Sequence, residues 1–150
     1  MKILLFLACV AACGQVKLQS PTTIHKPNGY SHLAEVPAGS KLVFIAGQVG
    51  TNLAGETPAD FEAQVKQTFE NLKAAVEAAG GKVTDIVKLS YYLDGSHVTR
   101  EMLPKMRAIR DTYIDPARPP VSTAVFVKEL VRAEWWIEVD AVAVVSTKKK

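Results

Sequence analysis

Of four runs of β-forming residues in this chain, three are apolar at odd and even positions alike, the run at 85–93 alternates and closes at Asp94-Gly95, and only two helical patterns lie between them. Side chains alternate from face to face along a strand, so a sheet built from such runs needs cover on both sides. Two helices cover one. The runs fall at 41–47, 85–93, 121–127 and 135–145, and pair Val43 with Phe44, Val125 with Phe126 and Ile137 with Val142. The run at 41–47, bounded by Gly39 and Gly47, fits a strand buried on both faces. The side of the sheet away from the helices is therefore predicted to meet another subunit, and ligand sites often form where subunits meet.

The helical patterns are separable from the strands by period. Phe61, Val65, Phe69, Leu72 and Val76 recur at steps of three and four, with Glu62, Lys66, Glu70 and Lys73 opposite, which predicts a helix over 60–79. Thr57 or Asp60 can cap its start, and Gly80-Gly81 can end it. A second helix, over 99–113, carries Leu103, Met106, Ile109 and Tyr113, and Pro104 is tolerable only near its first turn. Asp115 to Pro120 is too rich in proline for regular structure. The order β, α, β, α, β, β without a repeat predicts an α+β fold, a single domain of one β-sheet with two helices on one face. A chain of 150 residues has room for one such core.

Charge and motif content narrow the function by exclusion. The 18 basic and 15 acidic residues leave a net charge of +3, and Lys148, Lys149 and Lys150 form a basic tail at 148–150. The remaining basic residues are scattered among acids without interleaved aromatics, so nucleic acid is not an expected partner. Both cysteines, Cys9 and Cys13, lie at the N-terminus, which leaves no thiol nucleophile or disulfide in the body of the chain. His25, His32 and His97 show no metal-ligand spacing, and no metal is expected. Phosphate-cradling glycine loops and Gly-x-Ser-x-Gly are absent from the sequence.

The first residues have the order of a targeting segment. Met1-Lys2 precedes an apolar run from Ile3 to Ala12, which predicts a signal peptide at 1–12. The run is too short for a bilayer that needs roughly 20 apolar residues. Val10-Ala11-Ala12-Cys13 resembles a bacterial lipobox, so Cys13 is a candidate lipidation site and the expected link to a membrane. The expected location is exported, as a periplasmic protein or membrane-anchored lipoprotein; the alternative is a cytoplasmic protein with an N-terminal extension. Ser20-Pro21 and Lys26-Pro27-Asn28-Gly29 mark 13–28 as a linker, with ordered structure starting near Tyr30 and a domain over 29–147.

Several landmarks, in order and spacing, resemble the RidA family, the YjgF-like reactive-intermediate deaminases. They are Gly29-Tyr30-Ser31-His32, Ile45-Ala46-Gly47-Gln48-Val49, Gly55-Glu56, Phe69-Glu70-Asn71-Leu72-Lys73, Ala78-Ala79-Gly80, Asp85-Ile86-Val87-Lys88, the stretch from Pro119 to Leu130, and Ile137 to Ala143. The resemblance implies a chorismate-mutase-like fold and a homotrimer with small-molecule clefts between subunits. It also implies cofactor-free hydrolysis of an imine or enamine metabolite to a keto acid and ammonia. A non-catalytic binding or interaction protein on the same scaffold is the alternative.

The same resemblance assigns candidate residues. An imino acid needs its carboxylate held, best by a bidentate arginine, and a water oriented at its C=N carbon. Glu138 matches the family's catalytic glutamate. Strand alternation puts Asp140 on the same face about 7 Å further on, and two carboxylates there tend to raise one pKa. Tyr30 matches a cleft wall and Gly47 a backbone donor; either is also explained as structural. Registering the strand by Val125, Val127 and Leu130 places Ser122 where the family has its arginine, and Ser122 and Ala124 join the substrate-binding set. Losing that arginine costs on the order of 2 to 3 kcal/mol of substrate binding. Pro116-Ala117-Arg118 spells the family's local motif, so Arg118 is the competing candidate. Ala46 and Met106 replace a serine and a cleft-facing asparagine. Trp135 and Trp136 line a cleft or pack at a subunit contact.

Overall fold

The computed structural model describes residues 15–146, in six strands and two helices. The strands are β1 (Lys17–Gln19), β2 (Leu33–Glu35), β3 (Lys41–Val49), β4 (Ile86–Asp94), β5 (Val121–Val127) and β6 (Ile137–Val145), and the helices α1 (Phe61–Ala78) and α2 (Leu103–Arg110). The four long strands form a mixed sheet in the order β3-β6-β4-β5, with β4 and β5 parallel and the other pairs antiparallel. The parallel pair follows from the crossover that α2 makes between them.

α1 buries the stripe that its sequence carries: Phe61, Val65, Phe69, Leu72 and Val76 are all buried. They pack on the inner face of the sheet, where Ile137, Val139, Ala141, Ala143 and Val145 alternate along β6 with Leu89, Tyr91 and Leu93 beside them. Each of the buried Val, Leu, Ile and Phe side chains contributes roughly 2 kcal/mol through burial. Asp60 is the cap, its Oδ1 accepting from the Ala63 N–H at 2.8 Å, whereas Thr57 pairs instead with the Thr51 hydroxyl. Gly80, at a φ of 87°, ends the helix, its N–H donating to the Glu77 carbonyl. α2 is shorter than its sequence pattern: a single 3-10 turn, Arg100–Met102, precedes it and Pro104 sits in its first turn.

Three expectations need correction. A strand, β1, forms inside the stretch read as a linker and pairs with β2 antiparallel, Leu18 opposite Ala34. The chain therefore has a second, two-stranded sheet beside the main one, and ordered structure begins before Tyr30. β3 is an edge strand rather than one buried on both faces: Leu42 and Phe44 point away from the helices, and Phe44 is 77% exposed. The apolar excess noted in the sequence thus lies on one open face, with Val125 among it. No helix among the described residues is long and apolar enough to cross a membrane. The segment at 1–12, Cys13 and the basic tail lie outside the described residues.

Candidate functional site

On the open face, cross-strand pairing groups the polar side chains. Glu138 of β6 stands opposite Tyr92 of β4 on one side and Val49 of β3 on the other, and Asp140 stands opposite Ser90. Directly opposed residues share a face, so Glu138, Asp140, Ser90 and Tyr92 form one polar patch amid Phe44, Leu42 and Val142. Lys88 donates to the Ser90 hydroxyl at 2.9 Å.

The β3–β6 ladder shifts register between Ile45 and Gln48, so Ala46 and Gly47 together oppose Asp140 alone. This is a β-bulge, which re-aims neighbouring side chains. The Glu138 side chain folds over Gly47 so closely that a Cβ there would overlap its carboxylate, with Cδ only 2.7 Å away. Glycine at 47 is what gives the carboxylate its seat.

The two acids are not equivalent. Tyr92 donates its hydroxyl hydrogen to Asp140 Oδ2 at 3.1 Å, and that hydrogen bond raises the Tyr92 pKa above the usual phenol range. Among the described residues the Glu138 carboxylate accepts no hydrogen bond. It is half-buried and available.

On the opposite face, between α2 and the edge strand β5, lies a hollow of about 340 Å³ lined by Tyr30, Tyr91, Arg107, Arg110, Ser122 and Ala124 among others. Its walls are held from both ends. Ser31 docks on the segment before β5, its N–H donating to the Pro120 carbonyl at 3.1 Å and its hydroxyl to the Pro119 carbonyl at 2.7 Å. Arg110 is buried, donates to the Gly29 carbonyl at 2.7 Å and pairs with Asp111 at 2.7 Å. Gly29 has a φ of 78°, and a Cβ there would lie 3.1 Å from the Arg110 guanidinium. These contacts place Tyr30 beside Ser122, with the Tyr30 hydroxyl 3.1 Å from His25 Nε2. The Tyr91 hydroxyl is buried with no hydrogen-bond partner among the described residues, and burial pushes its pKa up to about 12 against the pull of the nearby Arg110 guanidinium.

The predicted residues therefore divide between two faces of one sheet. Tyr30, Ser122 and Ala124 share the hollow, whereas Gly47 and Glu138 share the open face. Arg118 joins neither: its Nη2 donates to the Val16 carbonyl at 3.2 Å, and it lines a separate hollow beside β1. Met106 is buried. Trp135 donates its indole N–H to Thr51 Oγ1 at 3.0 Å, and Trp136 stacks on His97 at 4.9 Å, so both make contacts within the chain.

Gln64 ties the segment entering β6. It is fully buried, donates to the Pro58 and Glu134 carbonyls and accepts from the Trp136 N–H. Arg107, Arg110 and Gln64 were not singled out in the sequence. The spacing of Arg100, Arg107 and Arg110 with Leu103 was the available signal for the arginines.

The described residues thus form an α+β domain with a hollow of about 340 Å³ beside α2 and a half-buried carboxylate on its open face. Residues 22–145 match the Ribonuc_L-PSP family, described as Endoribonuclease L-PSP, and the chain belongs to that family, which also takes in the YjgF, RidA and RutC proteins. A "RutC family protein" of Aquifex aeolicus is 36% identical over 115 residues, covering 75% of this chain and 87% of the relative. The "2-iminobutanoate/2-iminopropanoate deaminase" of Escherichia coli K12 is 47% identical over 53 residues, so the chain spans 41% of that relative's length and the match covers 35% of this chain. Among solved structures, the Rid-family protein YyfB of Yersinia pestis superposes with a TM-score of 0.77 at 31% identity, covering 87% of this chain and 98% of that one.

Proposed function

We propose that this chain is a cofactor-free hydrolase of a small imine or enamine metabolite, working as a homotrimer whose clefts lie between subunits. The observation that carries this reading is the Glu138 carboxylate, seated over Gly47 on the open face with no hydrogen-bond partner among the described residues. Such a group is placed to take a proton from water as the water adds to a C=N carbon. The carbinolamine then collapses to a ketone as the proton passes to the departing nitrogen, so imine plus water gives ketone plus ammonia. The name of the Escherichia coli relative supports this chemistry for the family.

The subunit arrangement is supported by the division of the candidate residues. Glu138 and the hollow under α2 lie on opposite faces, so one chain does not bring them together. A second copy laying its open face against the first copy's β5 edge does so, and covers Phe44 and Leu42. Ser122 in place of an arginine supports a substrate other than the smallest imino acids. For location, the apolar run of 3–12 and Cys13 support export and lipid attachment. The mass of the mature N-terminus tests this: an intact Met1 excludes it.

The decisive experiment generates imines in situ from several amino acids and follows their decay. Wild type should accelerate hydrolysis of at least one, and Glu138→Gln should lower that rate on the order of a hundredfold with an unchanged far-ultraviolet spectrum. Equal rates in the two proteins would favour a binding protein on the same scaffold.

A further inference from the structure

Arg100, Leu103, Arg107 and Arg110 recur at steps of three and four, which sets them along one side of the turn and helix at 100–110. That side faces β5. A second hollow, of about 440 Å³, continues from the one already described; it shares Leu103, Arg107 and Ala124 with it and reaches Arg100 and Phe126. Arg107 stands at the junction. Among the described residues, no carboxylate lines either hollow.

The arginines differ in how they are neutralised. Arg110 is paired with Asp111 and the Gly29 carbonyl. The Arg107 guanidinium makes no hydrogen bond or ion pair among the described residues, although it is half-buried. In the same hollow is the Tyr91 hydroxyl, buried and unpartnered. A cation without a counter-ion beside an orphaned buried donor leaves two groups that an anionic ligand satisfies at once.

We propose that Arg107 anchors an anionic group of the ligand, with the Tyr91 and Ser122 hydroxyls completing that subsite, and that Arg100 receives a second anionic group, so that the preferred ligand is a small dianion. Arg100 and Arg107 are about 10 Å apart along the helix axis, a span that two long side chains close around a short dicarboxylate. Small residues at 122 and 124 leave the room it needs. This rests on the proposed function for the location of the site and deepens it by naming the substrate class: the imine of a 2-oxo dicarboxylic acid.

The test is calorimetric titration of the intact oligomer with 2-oxoglutarate, 2-oxobutanoate and butanone, stable ketones with two, one and no negative charges. The expected order is 2-oxoglutarate tightest, 2-oxobutanoate about tenfold weaker, and butanone not bound. Arg107→Gln should weaken both acids at least tenfold, with part recovered in Arg107→Lys. Arg100→Gln should weaken 2-oxoglutarate alone, to the level of the monoacid. Binding that ignores charge, absence of binding by all three, or variants without effect would overturn the proposal.

Glu138→Gln separates the two readings, since it should keep these affinities while losing hydrolysis. Charge-ordered binding by a wild-type protein that hydrolyses no imine would sink the proposed function and leave the arginine subsite standing. Hydrolysis without charge order would do the reverse.

Discussion

At Gly47 a single methyl group has no space. A Cβ built there lies 2.7 Å from Glu138 Cδ and 2.9 Å from Cγ, so Gly47→Ala must displace the glutamate. Residues 46 and 47 are exposed, which keeps the cost to the fold small. Gly47→Ala should therefore slow imine hydrolysis about a hundredfold, by misplacing the acid, with little change in the urea midpoint; an unchanged rate would mean that water is not directed from there. Two tyrosines give the residue scale a pH dependence. Tyr91 and Tyr113 are both pushed up to about 12, mainly by burial, and Tyr113 also donates to Glu70 Oε1 at 2.7 Å. An unfolded phenol ionises near 10, so the folded state favours the protonated form. The stabilisation is whole below pH 10 and is lost as pH rises from 10 towards 12. Phenolate absorbance should show these two tyrosines ionising last, and Tyr91→Phe should flatten the alkaline fall in urea midpoint.

Among the elements, α1 depends most visibly on one local contact. Asp60→Ala removes the acceptor for the Ala63 N–H and should cost about 1 kcal/mol, read as a drop of a few degrees in Tm, while Thr57→Val leaves the helix start intact. α1 was legible in the sequence because only one of its faces is apolar, so period alone gives its direction. β1 was not: three residues just before Ser20-Pro21 carry no pattern of their own, and Lys17–Gln19 is a strand only because Leu33–Glu35 lies beside it. α2 was half legible. Leu103 and Met106 mark its apolar side, but Arg107 reads as ordinary solvated charge until β5 and the Tyr30 segment close a hollow around it. The seat of Glu138 was hidden for a related reason. Strand alternation puts Glu138 and Asp140 on one face, but which of them is free depends on Tyr92 across β4 and on the bulge in β3, and both are facts of register.

For the whole molecule, the geometry turns subunit composition into a measurable quantity. Under the proposed function, Glu138 on the open face and the arginines under α2 are the two halves of one site, and in a closed ring each site draws one half from each of two neighbours. A protein disabled in one half should then rescue a protein disabled in the other. Ala124→Trp fills the hollow and spares Glu138; Glu138→Gln does the opposite. Each alone should be nearly inactive. Unfolded together in equal amounts and refolded, they form mixed rings in which about one site in four joins two intact halves, given random assembly of a closed ring. Activity should therefore return to roughly a quarter of wild type. Mixing the folded proteins without dissociation should give far less. The same refolding with Phe44→Asp in both chains should yield monomers by sedimentation and no rescue, because that substitution puts a charge at the most exposed apolar position of the face that the proposed ring covers. If both halves came from one chain, refolded mixtures would show no gain over the separate variants, and the division of the site between faces would have no bearing on catalysis.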